Sequence, residues 1–156
     1  MEPIVMTIDY LKSPIGQIEI RTSSHYVTNV DFTDSKTIKS SPNNITQICK
    51  QQLQEYFDGK RRIFDLPLAP QGTEFQKSVW LALTKIAFGE TASYAMIANM
   101  INNPKAVRAV GAANGKNPIA IIIPCHRIIG SDGSLTGYAG GLERKAWLLE
   151  HEAVHQ

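Results

Sequence analysis

The stretch Ser93 to Gly111, SYAMIANMINNPKAVRAVG, decides how the second half of the chain folds. Ser93 is a helix-capping residue type, its hydroxyl able to accept from the free amides of a first turn. Behind it Tyr94, Ile97, Ala98 and Ile101 stand at i, i+3, i+4 and i+7, the spacing of one helix face. Asn102-Asn103-Pro104 then interrupts the pattern, and Pro104 is expected at the first position of the next helix, where its missing amide hydrogen costs nothing. That helix carries Val107, Arg108 and Val110 and is expected to stop near Asn114-Gly115. Two short helices joined by such a turn form a helix-turn-helix pattern, whose second helix commonly enters a DNA groove. On these residues alone, an ordinary helical hairpin inside a globular core is the competing reading.

Upstream of this pair, Thr73 and Gln76 fit a capping box, and Phe75, Val79, Leu83 and Ile86 make one helix face with Gly89 as the expected stop. Pro67, Pro70 and Gly72 mark a linker, because residues of these types so close together disfavour both helix and ladder. The expected domains are therefore 1–72 and 73–156. In the first, apolar and polar residues roughly alternate over Ile4 to Tyr10, Gln17 to Thr22 and Tyr26 to Phe32, the pattern of half-buried strands. Ser13-Pro14-Ile15-Gly16 is a turn joining the first two into a hairpin. Thr33 to Asn44 reads as loop, and Ile45, Ile48, Cys49, Leu53, Tyr56 and Phe57 then recur at helical spacing, with Gly59 as the stop. A short apolar segment, Arg62 to Leu68, ends this half.

Downstream, the apolar run Ile119 to Ile123 ends in Pro124 and reads as a buried segment that delivers Cys125, His126 and Arg127 to a fixed place. Gly130 to Gly141 is expected as a surface loop, and Leu142 to Glu152 as a final helix with Leu142, Ala146 and Leu149 inward. The fold class expected is α+β: an N-terminal antiparallel-sheet domain with a helix, then a mostly helical, winged helix-turn-helix-like domain.

A chain of 156 residues, 43% hydrophobic, can bury a sizeable core. Its formal charge of +2 is too small to announce a nucleic-acid partner, although the excess sits entirely in residues 73–156. No run of about 18 apolar residues exists and no signal peptide is recognisable, so a soluble, cytoplasmic protein is expected. Two cysteines, Cys49 and Cys125, make no disulfide framework, and no cysteine-histidine spacing suggests zinc. Reduced thiols, no metal and no cofactor are expected.

A cysteine beside a histidine at the exit of a buried segment is a sensible place to make a thiolate, the reactive form of the side chain. Taken alone, Cys125 reads more readily as a small core residue, which is what most unpaired cysteines are. The wider pattern is more specific. Phe88-Gly89-Glu90 with Ser93-Tyr94 is followed by Asn103-Pro104-Lys105-Ala106-Val107-Arg108-Ala109-Val110-Gly111, by Asn117-Pro118 and by Ile123-Pro124-Cys125-His126-Arg127. Gly137-Tyr138-Ala139-Gly140-Gly141 and Lys145-Ala146-Trp147-Leu148-Leu149-Glu150-His151-Glu152 complete the series. From Phe75 to Glu152 the chain resembles the O6-alkylguanine-DNA alkyltransferases, also called methylated-DNA-protein-cysteine methyltransferases, in their single-function bacterial form. Residues 1–72 resemble that family's variable N-terminal domain only loosely and are assigned no chemistry.

The resemblance implies irreversible, one-for-one transfer of an alkyl group from O6-alkylguanine in duplex DNA to Cys125, and leaves O4-alkylthymine open as a second lesion. It implies that His126 takes the thiol proton through a water and that Glu152 orients His126. Tyr94 would protonate the departing guanine ring, because breaking the bond otherwise makes a poor anionic leaving group. Asn117 would hold the active-site turn. Arg108 would insert from the recognition helix and fill the place of the extruded base. Ala106, Ala109, Gly111 and Ala112 would let the backbone approach the minor groove of the DNA. Pro124, Tyr138, Ala139 and Gly140 would wall the guanine pocket. Ala139 stands where some relatives have serine, which bears on tolerance for larger alkyl groups. A monomer without membrane association is implied.

Cys49, Trp80 and Trp147 read as core residues, and His25, His151 and His155 have no partner identifiable from sequence. Two other function classes compete. A module that only marks damaged DNA would have lost the cysteine, whereas Cys125 is intact. A cysteine hydrolase would turn over many times per molecule.

Overall fold

A computed structural model describes residues 7–34 and 41–156. The chain divides into two compact units, Met1–Pro70 and Gln71–Gln156. In the first, strands β1 (Thr7–Ser13), β2 (Gly16–Thr22) and β3 (Val27–Phe32) form an antiparallel sheet in the order β1-β2-β3, followed by helix α1 (Asn44–Phe57). The hairpin is closed by Pro14 and Ile15, with Ser13 paired to Gly16. Gly16 has φ +119°, a backbone value that a Cβ atom disfavours. Ile18 and Ile20 are fully buried while Arg21 faces out, as alternation predicts. The expected strand start, Ile4 to Met6, lies outside the described residues, as does 35–40 of the expected loop. Within them, β1 runs beyond Tyr10 to Ser13.

Helix α1 opens on a capping box between Asn43 and Thr46, the first of these a residue that reads as loop in the sequence. The inward positions go to Thr46, Cys49, Gln52, Leu53, Tyr56 and Phe57. Ile48, expected on that face, is displaced to the outside and is 36% exposed. Gln52 ties the following segment back to the helix, donating to the Asp65 carbonyl at 3.0 Å and accepting from its amide at 2.9 Å.

The second unit contains α2 (Glu74–Leu83), β4 (Ala92–Ser93), α3 (Tyr94–Met100), α4 (Val107–Gly115), β5 (Ile128–Ile129) and α5 (Leu142–Val154). The whole is α+β, with the sheet in the first unit and a mostly helical second. Thr73 and Gln76 form the capping box of α2. The helix ends at Leu83, short of the expected stop at Gly89. The Lys85 and Ile86 amides make tighter bonds to Ala82 and Leu83, Ile86 turns inward, and its carbonyl is taken by Arg127 at 2.6 Å. Gly89, with φ +81°, belongs instead to a separate turn closed by the bond from Glu90 to Ala87. Among the described residues no helix is long and apolar enough to cross a membrane.

Ser93 caps α3, its hydroxyl accepting from the Met96 amide at 3.1 Å. The helix closes in a Schellman motif: Asn102 sits at φ +58°, its amide bonds Asn99, and the Asn103 amide reaches back to Ala98 at 2.9 Å. This motif aims the chain into α4. It also corrects the expected place of Pro104, which lies in a turn closed by the Ala106 to Asn103 bond, while the helix begins at Val107. Trp80 locks α2 to α4, its indole nitrogen donating to the Ala113 carbonyl at 2.8 Å in the core.

The final helix shows the largest departure from its sequence pattern. Lys145, Leu148, His151 and Glu152 face inward, whereas Leu142 and Ala146 are exposed and Leu149 is half-buried. Three polar residues take core positions because each finds a partner there, as their surroundings make clear.

Candidate active site

The run Ile119 to Ile123 is buried as its composition implies, but it is coiled into tight turns rather than extended. Ile123 bonds back to Ile119 at 3.1 Å, and Ile121 adopts φ +72°. A β-branched residue in that region is strained, at a cost on the order of 1–3 kcal/mol, and persists only where the surroundings hold it. Asn117 supplies that hold. Its amide nitrogen donates to the carbonyls of Ile119 at 3.3 Å and Ile123 at 2.8 Å, and its oxygen accepts from the Ile119 amide at 3.0 Å. Cys125, His126 and Arg127 follow as one turn of 3-10 helix, with Pro124 at its head.

Immediately after that turn, β5 pairs in parallel with β4, placing Ile128 beside Ala92 and Ile129 beside Ser93. Tyr94, the next residue along, is thereby fixed near the cysteine turn although 31 positions separate it from Cys125 in the chain. Neither two-residue strand is visible in the sequence, since pairing this short leaves no periodicity to read.

Glu152, on the last turns of α5, is 1% exposed and surrounded by donors. Arg127 grips both its oxygens, Nε at 2.7 Å and a terminal nitrogen at 3.0 Å, and the Gly89 amide adds a contact at 3.3 Å. A further bond, at 2.6 Å, joins it to Nε2 of His126. Burial would raise the Glu152 carboxyl, but the hydrogen bonds and charges of His126 and Arg127 outweigh it and hold it well below the usual carboxylate range. Glu152 is therefore an anion, and an anionic carboxylate only accepts, so Nε2 carries the ring hydrogen and Nδ1 the lone pair. His126 itself is fully buried and kept neutral, burial lowering its pKa against the pull of Glu152. Its Nδ1 meets no hydrogen-bond partner among the described residues.

Cys125 is 6% exposed. Burial pushes its thiol up, while the Asn117 amide and the charge of Lys145 pull the other way. The resting side chain is thus a thiol that needs a base to release its proton, rather than a standing thiolate. The Asn114 amide reaches the Cys125 carbonyl at 3.4 Å. Lys145 is fully buried and donates to the carbonyls of Ile128 and Thr136, tying the glycine-rich loop to β5. The Thr136 hydroxyl contacts the Tyr94 phenol.

The structure brings Cys125, His126, Glu152, Asn117 and Tyr94 into one neighbourhood around the 3-10 turn and the β4–β5 pair. The residues expected on the DNA side lie along α4. Arg108, Ala109 and Ala112 are exposed and Ala106 is half-buried. Gly111 is set apart from them: it is half-buried and faces the Tyr94 ring, which a Cβ built there would meet at 3.7 Å, an ordinary contact. Arg108 makes no hydrogen bond or ion pair with the described residues. In the loop, Tyr138 and Gly140 are half-buried and Ala139 is exposed. Sequence reasoning passed over Arg127, Thr136 and Lys145. The signal that could have found Lys145 is its place three residues before Leu148 and seven before Glu152, on the same helix face.

Outside this neighbourhood, Cys49 is a core residue whose thiol burial pushes up to about 12. His151 stacks on the half-buried Trp147 at 4.8 Å, and His155 contacts the His151 carbonyl at 2.7 Å. Among the described residues no group of three or more histidine, cysteine or acidic side chains is placed to hold a metal ion.

A buried cysteine beside a histidine polarised by a carboxylate, carried on a domain with a helix-turn-helix pair, defines a class: proteins with a thiol nucleophile built into a DNA-binding type of fold. Comparison with known proteins gives the particular family. Residues 74–154 match the family described as 6-O-methylguanine DNA methyltransferase, DNA binding domain, and residues 6–70 match its ribonuclease-like domain. The chain belongs to the 6-O-methylguanine DNA methyltransferase family. The methylated-DNA-protein-cysteine methyltransferase of Methanosarcina barkeri is 50% identical over 153 residues, 94% of this chain and 97% of that protein. The constitutive enzyme of Bacillus subtilis is 45% identical over 92% of this chain and 93% of its own. The O6-methylguanine methyltransferase structure of Mycobacterium tuberculosis superposes with TM-score 0.89 at 41% identity, covering 97% of this chain and 95% of that one. A structure of M. tuberculosis OGT in complex with DNA matches with TM-score 0.87 at 45% identity, covering 94% and 92%.

Proposed function

We propose that this protein repairs alkylated guanine in DNA by moving the alkyl group onto Cys125, one group per molecule. The observation that carries the mechanism is the open Nδ1 of His126, a buried lone pair whose ring is locked from the far side by Glu152. A buried imidazole nitrogen without a partner is costly unless a water or a reacting proton uses it. A water there takes the Cys125 proton and passes it to Nδ1, and the imidazolium that forms is stabilised by the Glu152 anion. The thiolate then attacks the alkyl carbon in line, the sulfur–carbon bond forming as the carbon–oxygen bond to guanine breaks. Tyr94 gives its phenolic proton to the purine as negative charge leaves the alkyl group. One proton leaves the thiol and one joins the purine, so the step needs no co-reactant. No group in the site can cleave the thioether, and the reaction ends after one equivalent.

The substrate base reaches this site by leaving the duplex. Arg108, exposed near the start of α4 and without a hydrogen-bond or ion-pair partner among the described residues, fills its place in the stack, while the small residues Ala106, Ala109 and Ala112 let the helix lie in the minor groove. Pro124 and the loop residues Tyr138, Ala139 and Gly140 wall the base. The protein acts as a monomer. Excess duplex carrying one labelled O6-methylguanine tests this reading: label uptake stops at one per molecule. Continued turnover would indicate a hydrolase, and retention of the DNA without label uptake would indicate a binding module.

Two variants separate the roles. Tyr94→Phe lowers the single-turnover rate about a hundredfold with little change in DNA affinity; an unchanged rate removes Tyr94 from proton donation. Arg108→Ala slows repair of duplex DNA by roughly ten- to a hundredfold, the cost of an unreplaced stacking partner, yet leaves the reaction with a free O6-alkylguanine base near the parental rate. Equal slowing on both substrates would deny Arg108 a part in base extrusion.

A further inference from the structure

Behind Tyr94 stands a chain of polar groups that the mechanism above leaves unused. The Lys145 Nζ is fully buried and faces three acceptors: the Ile128 carbonyl, the Thr136 carbonyl at 3.2 Å and the Thr136 hydroxyl at 3.4 Å. Three acceptors match the three hydrogens of an ammonium, which cannot itself accept. The Thr136 hydroxyl in turn touches the Tyr94 phenol oxygen, and either oxygen could be the donor in that pair. The order of the chain decides which. Lys145 as an ammonium can only donate to Thr136, so among the described residues the Thr136 hydrogen goes to the Tyr94 oxygen.

We propose that Thr136 is a positioning residue for alkyl transfer, passing the polarity of Lys145 to Tyr94 so that the phenol holds its own hydrogen toward the purine. The inference rests on the reading of Tyr94 as proton donor and adds the group that prepares it. As the Tyr94 O–H bond breaks and the proton joins the purine, the phenolate left behind keeps a hydrogen bond from Thr136, backed by the Lys145 charge. Thr136 neither gains nor loses a proton. The same contacts let Lys145 and Thr136 hold the glycine-rich loop in place, so a structural part and a chemical part must be told apart.

The experiment compares the parent chain, Thr136→Val and Thr136→Ser in two reactions. One is single-turnover methyl uptake from duplex O6-methylguanine, where the leaving group needs a proton. The other is capping of Cys125 by iodoacetamide, where iodide leaves without one. The valine variant keeps the shape of threonine and removes only the hydroxyl. Its methyl uptake is expected to fall on the order of tenfold, with iodoacetamide capping at a rate close to the parent's, and serine is expected to restore most of the lost rate. Methyl uptake by Thr136→Val at the parental rate would overturn the proposal. So would parallel slowing of both reactions, which would mean that the loop had moved. If the parent itself takes up no methyl group yet is capped by iodoacetamide, the underlying reading of the function fails, and the inference with it.

Discussion

Cys125→Ala takes up no methyl group from DNA carrying O6-methylguanine, while its affinity for that DNA stays close to the parent's. The loss is complete because neither neighbour in the 3-10 turn can replace the thiol: Arg127 is a cation paired with Glu152, and the His126 ring is fully buried and held by Glu152 through Nε2, its Nδ1 serving as base. Binding is expected to survive because Cys125 is buried and the residues proposed to meet DNA lie on and just before α4, a separate element. Exchanging a buried thiol for a methyl group costs on the order of 1 kcal/mol, too little to unfold the domain. Titration of a fluorescent duplex, alongside label uptake, checks both halves. Loss of binding together with uptake would mean that the thiol supports the DNA face and that the two functions are not separable in this way.

Glu152→Gln has the second-largest effect, and it acts on stability and rate together. The substitution removes the counter-charge that Arg127 grips among the described residues, leaving a buried guanidinium unpaired. Breaking such a pair from one side costs about 3–5 kcal/mol. The melting midpoint of the second unit is therefore expected to drop by roughly 12–40 °C. The rate of transfer falls as well, because the imidazolium formed at His126 loses its stabilising anion and the ring loses the bond that fixes its tautomer.

The pH dependence carries the same signature. The Glu152 carboxyl is held below its ordinary value in the folded state, so its contribution is present above the unfolded value, about 4.3, and is lost as pH falls through the folded value. His126 is also lowered, so the unfolded chain binds its proton first, and stability declines as pH drops below about 6.5. Both groups make the parent less stable in acid. The glutamine variant lacks the carboxylate part, so its midpoint should change less than the parent's between about pH 5 and pH 3. Identical acid slopes for the two proteins would show that Glu152 is not the buried anion described.

What could be read from the sequence was what local spacing encodes. The capped starts of α2 and α3, the hairpin at Pro14-Ile15 and the helical positions of Val107 to Gly115 depend on neighbours within a few residues, and each was legible. The β4–β5 pair was not, because two residues leave no alternation and the partners lie 36 positions apart, Ala92 beside Ile128. The face of α5 misled for a different reason. Its inward stripe contains Lys145, His151 and Glu152, which a hydrophobic pattern assigns to solvent, and only the tertiary partners of these side chains make their burial tolerable. The end of α2 was misplaced because the Ile86 carbonyl answers to Arg127, which lies 41 positions away. Polar residues in core positions are where pattern reading fails, and in this chain they cluster around the cysteine.

The candidate site divides along the same line. Cys125 and His126 stood out as a pair, and Tyr94, Asn117 and Glu152 joined them through family resemblance rather than spacing. Arg127, Thr136 and Lys145 required coordinates, because their significance lies in what they touch.

The most direct measurement is a peptide map of the protein after reaction with duplex O6-methylguanine. The account predicts that the peptide containing Cys125 gains the mass of one methyl group in every reacted molecule, with fragmentation placing it on the sulfur, while Cys49 stays unmodified. A methyl group on another residue, or demethylated DNA beside an unmodified Cys125, would contradict it.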